Sequence, residues 1–136
     1  MLVGLGLDVV EVERVRAAVA RRGERLLKRL FTPTELRYCL AATEPERGRR
    51  LAARYAAKEA VRKAIGAGQR SAAWLDIEIT KSRSGQPGVR LRGRLAIVAR
   101  KHGVGRVLVS LTHAREYAAA QAIALGPEPE TGEVLP

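Results

Sequence analysis

The sequence predicts an α+β domain, a small antiparallel sheet packed on one long helix and several short helices, and three observations carry that expectation. Strand-like patterning stands near both ends, over residues 2 to 10 and again over 107 to 113 with a returning strand over 117 to 125. Between them lies RYAAKEAVRKAIGAG, residues 54 to 68, in which Ala57, Ala60, Val61 and Ala64 recur at the spacing of one helix face. A chain of 136 residues, 46% hydrophobic and 29% charged, suits one globular domain able to bury a core. That domain is expected to span residues 1–125, with the Pro- and Glu-rich residues 126–136 as a disordered tail.

Composition narrows the setting. The single cysteine, Cys39, excludes an intrachain disulfide and a cysteine-built zinc site, and reads as a small buried hydrophobe. The start MLVGLGLDVV has no basic stretch and soon meets Asp8, unlike a signal peptide, and no apolar run approaches the length of a membrane span. A cytoplasmic location is the expectation. The formal net charge of +11 would attract polyanions of any kind: nucleic acid, an acidic membrane surface, phosphorylated small molecules or an acidic protein.

Taken in order, residues 2 to 10 form a strand with Val3, Leu5, Leu7 and Val9 on one face and Leu2, Gly4, Gly6 and Asp8 on the other. Two glycines on the face of Asp8 indicate close approach of another backbone or a ligand. Asp8 by itself reads equally as a carboxylate bonded to a nearby turn. Helical patterning follows from Glu11 to about Leu30, interrupted by Gly23, with Arg14, Arg21 and Arg25 among many basic residues. This stretch could dock an acidic partner, a nucleic-acid backbone or an anionic membrane, or be a solvated face. Thr32 and Glu35 then form a capping box with Pro33 in the first turn and Phe31 and Leu36 as its hydrophobic staple, a purely structural motif opening a short helix to about Ala41. Thr43 with Glu46 repeats that spacing and opens the long helix.

On the long helix Tyr55, Lys58, Glu59, Arg62 and Lys63 fall opposite the small-residue stripe, and Gly66 and Gly68 end it. Glu59 and Lys63 have the i, i+4 spacing of a solvated ion pair. After it, Leu75, Ile77 and Ile79 alternate with Asp76, Glu78 and Thr80 as a half-buried strand, with Trp74 before it as core or pocket wall. Residues 84 to 88 make a turn, Val89 to Leu91 a short strand, and Gly93 to Lys101 a short helix ended by His102, which is given no further role. Val107, Val109, Leu111 and His113 share one side of a strand, Leu108, Ser110 and Thr112 the other, and Tyr117 to Leu125 returns antiparallel. His113, at a strand end beside a tight turn, is either structural or placed to meet a phosphate.

Four segments in register, Gly4-Leu5-Gly6-Leu7-Asp8, Phe31-Thr32-x-x-Glu35, Arg54-Tyr55-Ala56-Ala57-Lys58-Glu59-Ala60 and Ser110-Leu111-Thr112-His113 followed by Glu116-Tyr117-Ala118, resemble the short, single-module branch of the 4′-phosphopantetheinyl transferases. The resemblance runs from Leu2 to about Leu125. It implies that family's fold and an Mg²⁺-dependent transfer of phosphopantetheine from coenzyme A to a serine of apo-acyl carrier protein, releasing adenosine 3′,5′-bisphosphate, in the service of fatty acid biosynthesis. It implies Asp8 and Glu59 as metal ligands and catalytic residues, with Lys63 as the catalytic lysine that meets the phosphate. Proton removal from the serine falls to Glu59 or to a metal-bound water. Arg54, Lys63, Gly66, Gly68, Thr112 and His113 would contact coenzyme A, and Arg14, Arg21 and Arg25 would grip the acidic carrier protein. A homotrimer with sites between subunits is implied as well. Tyr55 departs from the family's usual phenylalanine, and Ala114 from its usual threonine. The competing reading, a basic nucleic-acid-binding module, has the charge and the arginine-rich first helix in its favour and an aromatic content of 4% against it. No membrane association is expected.

Overall fold

The computed structural model describes residues 1–68 and 73–127. The expected tail therefore lies almost wholly outside the described residues. Strand β1 (Leu2–Glu11) leads into helices α1 (Val12–Arg22), α2 (Glu24–Leu30) and α3 (Pro33–Leu40), and then into α4 (Glu46–Ile65). Strands β2 (Ile77–Lys81) and β3 (Pro87–Leu91), helix α5 (Gly93–Lys101) and strands β4 (Arg106–His113) and β5 (Tyr117–Leu125) complete the fold. Gly23, at φ 65°, makes the break between α1 and α2 that a residue with a Cβ would resist.

The sheet is antiparallel in the order β1-β5-β4, and β2 pairs separately with β3. Register sets its two faces. Gly6 lies opposite Ala122 and Asp8 opposite Ala120, while Leu111 also meets Ala120 and His113 meets Ala118. The inner face is thus built from Gly4, Gly6 and alanines at 118, 120, 122 and 124, and α4 lies directly on it. A methyl group at Gly4 or Gly6 would overlap the carbonyl oxygen of Ala64 or Ala60. The close approach foreshadowed by the two glycines is that of the α4 backbone. Ala57, Ala60, Val61 and Ala64 are buried against the sheet, as their spacing predicts. The outer face is the reverse: Leu5, Leu7 and Val9 are 58%, 63% and 60% exposed.

Several local expectations are corrected. The second capping box does not form, because the helix begins at Glu46 with Pro45 at its N-cap. The Glu44 carboxylate instead accepts from Gly48 N at 2.6 Å, leaving Glu46 free to face Arg50 at 3.7 Å. Leu75 and Asp76 belong to a 3-10 turn, Trp74–Asp76, rather than to the strand, and Asp76 is drawn to the start of α5, where its carboxylate accepts from Leu95 N at 3.3 Å. Glu78 is buried with Ile77 and Ile79, its charge met by Arg90 and Arg92. His102 does more than end its helix, because its Nδ1 bonds the Ile65 carbonyl at 2.6 Å and so joins the ends of α5 and α4.

Lys58 does not share the solvated side of α4. Its ammonium is fully buried, 2.6 Å from Glu35 Oε1, and donates to the carbonyls of Trp74 and Ile77. Burial pushes its pKa down, against the pull of Glu35. Glu35 completes the expected capping box with Thr32 and also accepts from Ile79 N at 2.8 Å. One carboxylate so ties α3, α4 and β2 together. Removing either charge from such a pair typically costs about 3–5 kcal/mol, because the survivor is left buried and unpaired. Cys39, buried as expected, has its thiol pushed up to about 11, chiefly by burial.

Candidate active site

Asp8 projects from the inner face of β1 near the edge of the small-residue patch, and Glu59 sits on α4 one turn before Lys63. Both carboxylates line a cleft of about 550 Å³ roofed by α1 and α2, with Tyr55 and Trp74 also in its wall. Of the two roles open to Trp74, core or pocket wall, the structure gives it the second. The expected Glu59–Lys63 surface pair is replaced by two crossed contacts. Lys63 Nζ lies 3.2 Å from Asp8 Oδ1 and donates to the Leu7 carbonyl at 2.8 Å, while Arg62 approaches Glu59 Oε1 at 3.4 Å.

Tyr55, in place of a phenylalanine, adds a hydroxyl to the cleft, and that hydroxyl has a partner: it donates to Glu59 Oε1 at 3.5 Å. Burial, and then the Glu59 and Asp8 carboxylates, push the phenol upward, so it stays a neutral donor at physiological pH. The Tyr55 ring meets Trp74 at 5.3 Å between centroids, and the Arg62 guanidinium covers the Trp74 ring at 4.8 Å. These contacts fix Glu59 Oε1 and leave Oε2 uncommitted among the described residues.

No group of three or more His, Cys, Asp or Glu side chains gathers among the described residues. The two carboxylates in one cleft still fit Mg²⁺, which takes one or two of them and fills its remaining positions with phosphate oxygens and water. Above them the rim carries Arg14, Arg21, Arg22 and Arg29. Arg25, grouped with Arg14 and Arg21 in the sequence, lies outside this lining, whereas Arg22 and Arg29 belong to it.

The residues expected at the nucleotide end gather elsewhere. Arg54 and His113 line a second cleft of about 200 Å³, with Tyr38, Arg50 and Lys81. Arg54 is only 5% exposed, and its Nε has no hydrogen-bond partner among the described residues. His113 Nε2 lies 3.5 Å from Glu46. Thr112 alternates to the outer face of the sheet, opposite Ala119 and in line with Val9, so it does not join His113. Gly66 takes the left-handed conformation at φ 76° and is crowded by the His102 ring, so its need for glycine is met within the chain. A Cβ at Gly68 would meet nothing within 4 Å among the described residues, and the Gly68 carbonyl accepts from Arg62 at 2.9 Å. Sequence reasoning missed Tyr38 and Arg50. Arg50 could have been found one turn before Arg54 on the same side of the helix.

Arg54 and Glu59 are five positions apart, which at 3.6 residues per turn separates them by about 140° around α4. The two clefts thus open on different sides of one helix. The carboxylate cleft is suited to a cation and a phosphate chain, and the arginine cleft to a terminal anion.

Comparison with known proteins gives this arrangement a context. The chain is 49% identical over 118 residues to the holo-[acyl-carrier-protein] synthase of Moorella thermoacetica, covering 87% of this chain and 90% of that one. Among solved structures it resembles the holo-[acyl-carrier-protein] synthase of Neisseria meningitidis, with a TM-score of 0.80, 30% identity and coverage of 92% and 99%. It also resembles the Helicobacter pylori synthase solved in complex with coenzyme A, with a TM-score of 0.76, 25% identity and coverage of 89% and 99%. A sequence profile matches residues 4–122, and with that match the chain belongs to the 4′-phosphopantetheinyl transferase superfamily.

Proposed function

We infer that this chain transfers the 4′-phosphopantetheine group of coenzyme A to a serine of apo-acyl carrier protein, releasing adenosine 3′,5′-bisphosphate. The observation that carries the reading is the meeting of Asp8 and Glu59 in one cleft under an arginine rim, in a chain whose relatives are named for making holo-acyl carrier protein. The nucleic-acid reading finds no support among those relatives.

In the reaction the serine oxygen gives up its proton to Glu59 or to water and forms a bond to the β-phosphorus of coenzyme A, the bridging P–O bond breaks, and adenosine 3′,5′-bisphosphate leaves with the electron pair of that bond. Asp8 and Glu59 would hold Mg²⁺, which when bound would neutralise and orient the pyrophosphate. Lys63, held beside Asp8 by that carboxylate and the Leu7 carbonyl, brings a cation to the charge that develops on the leaving phosphate. Tyr55 and Arg62 hold one oxygen of Glu59 and so aim the other. The arginines of the rim attract an acidic carrier protein and orient it as it docks.

We further propose a homotrimer in which the carboxylate cleft of one subunit works with the Arg54 cleft of its neighbour. Two features support this. The exposed apolar face of Leu5, Leu7, Val9 and Leu108 suits burial between copies. The separation of about 140° around α4 keeps one chain from turning both clefts on one ligand. Closed cyclic symmetry would give equivalent sites and leave no apolar face in water. The proposed setting is the cytoplasm, where the product serves fatty acid biosynthesis.

The test is the intact mass of a purified apo-acyl carrier protein incubated with this protein and coenzyme A, with Mg²⁺ or with excess EDTA. The reading expects a phosphopantetheine-sized gain with Mg²⁺ alone. A gain undiminished by EDTA would remove the metal; no gain at all would remove the transfer.

A further inference from the structure

Three cations, two from α4 and one from β2, converge on one aromatic ring. The Arg50 and Arg54 guanidiniums lie 4.2 and 4.0 Å from the centroid of Tyr38, and the Lys81 ammonium lies 4.5 Å from it. Tyr38 grips two of them a second time: its carbonyl accepts from Arg50 at 2.9 Å, and its hydroxyl meets Lys81 Nζ at 3.4 Å. All of these side chains line the cleft that also holds His113. Glu46 is the acid that reaches this group, 3.7 Å from Arg50 and 3.5 Å from His113, so positive charge stays in excess. Arg54 is nearly buried with an unpartnered Nε, and the only contact that fixes its guanidinium among the described residues is the Tyr38 ring. Three like charges repel one another when brought together without a counter-charge. The electron-rich face of a tyrosine attracts each of them and offers no acidic group to neutralise what an incoming anion should find.

We propose that Tyr38 is a positioning residue: its ring holds Arg50, Arg54 and Lys81 in one cluster, ready for the phosphomonoester at the nucleotide end of coenzyme A. The inference rests on the transfer reaction above. Tyr38 touches neither the reacting phosphorus nor the serine, so its influence falls on binding of the donor and not on the chemical step. The hydroxyl is secondary to the ring, because only Lys81 uses it.

The experiment compares Tyr38→Leu with Tyr38→Phe in the full chain, using transfer from coenzyme A and from dephospho-coenzyme A, and calorimetric binding of adenosine 3′,5′-bisphosphate. Tyr38→Leu should raise the KM for coenzyme A about fivefold to tenfold and weaken bisphosphate binding equally, with kcat within about twofold. Tyr38→Phe should restore KM to within about twofold of the parent. The KM for dephospho-coenzyme A, which lacks the phosphomonoester, should hardly respond. Should Tyr38→Leu fail to fold, Tyr38→Met, of similar reach and without a ring, carries the same expectation. An unchanged KM, a Tyr38→Phe as impaired as Tyr38→Leu, or an equal loss with both donors would overturn the proposal. A parent protein that neither transfers nor binds the bisphosphate would instead overturn the reaction on which it rests.

Discussion

The cleft under β1 holds two carboxylates, Asp8 and Glu59, beneath a rim of arginines, whereas the cleft beside Tyr38 holds Arg50, Arg54, Lys81 and His113 with Glu46 at its margin. The first has the donor set for a hard cation and the space for a phosphate chain; the second has the charge for an anion. Both hang from α4, yet on sides of the helix about 140° apart. The difference teaches how a short chain can assemble a site for a long, multiply charged ligand. It carries each end of the site on a different flank, and leaves an apolar sheet face exposed for the contact that would bring flanks of different copies together.

The largest effect should come from the acidic cleft. Glu59→Gln keeps the size and removes the charge, and is expected to lower kcat by about 10²–10³-fold in the mass assay while far-ultraviolet circular dichroism stays unchanged. Activity near that of the parent would take Glu59 out of the reaction. Next comes the contact between copies. Leu7→Asp puts a charge in the middle of the exposed apolar face, so sedimentation should show monomers and transfer should fall about 100-fold, since neither cleft then has its counterpart. A fully active monomer would mean that one chain suffices.

Smaller changes should separate the two ends. Arg54→Met removes the guanidinium whose Nε has no hydrogen-bond partner among the described residues, and should raise the KM for coenzyme A about 30-fold, near 2 kcal/mol, with a smaller effect on kcat. A pure kcat effect would move Arg54 to the reacting phosphate. Arg14→Glu, on the rim of the acidic cleft, should raise the KM for carrier protein about tenfold and flatten its salt dependence, with the KM for coenzyme A unmoved. If the coenzyme A KM rises instead, the rim belongs to the donor.

Much of this contrast is legible in the unfolded chain. The alternation along residues 2 to 10 sorts Asp8 with Gly4 and Gly6, and the register of β1 on β5 keeps that sorting. The same period-two logic separates Thr112 from His113, although a resemblance between whole motifs assigns both to one ligand. What stays hidden are properties that arise only when distant segments close on each other. Lys58 shares the polar side of its helix in projection, and only the packing of Glu35 and β2 on that side buries it. Tyr38 carries no signal in its own segment, because the cations that surround it come from α4 and β2. Thr43 and Glu46 have the spacing of a capping box, but Pro45 and the Glu44 carboxylate supply the helix start in their place.

The central claim is that the two clefts serve one site across a contact between copies, and subunit mixing tests it most directly. Glu59→Gln chains and Arg54→Met/Lys81→Met chains, each poorly active alone at limiting coenzyme A, would be co-expressed with different tags, purified as mixed assemblies and assayed by carrier-protein mass. In each mixed trimer about one site in three pairs an intact acidic cleft with an intact cationic cleft if the two come from neighbouring chains, so activity should return to about a third of the parent rate. Mixed assemblies no more active than the better of their components would show that both clefts of a site belong to one chain, and would contradict the account.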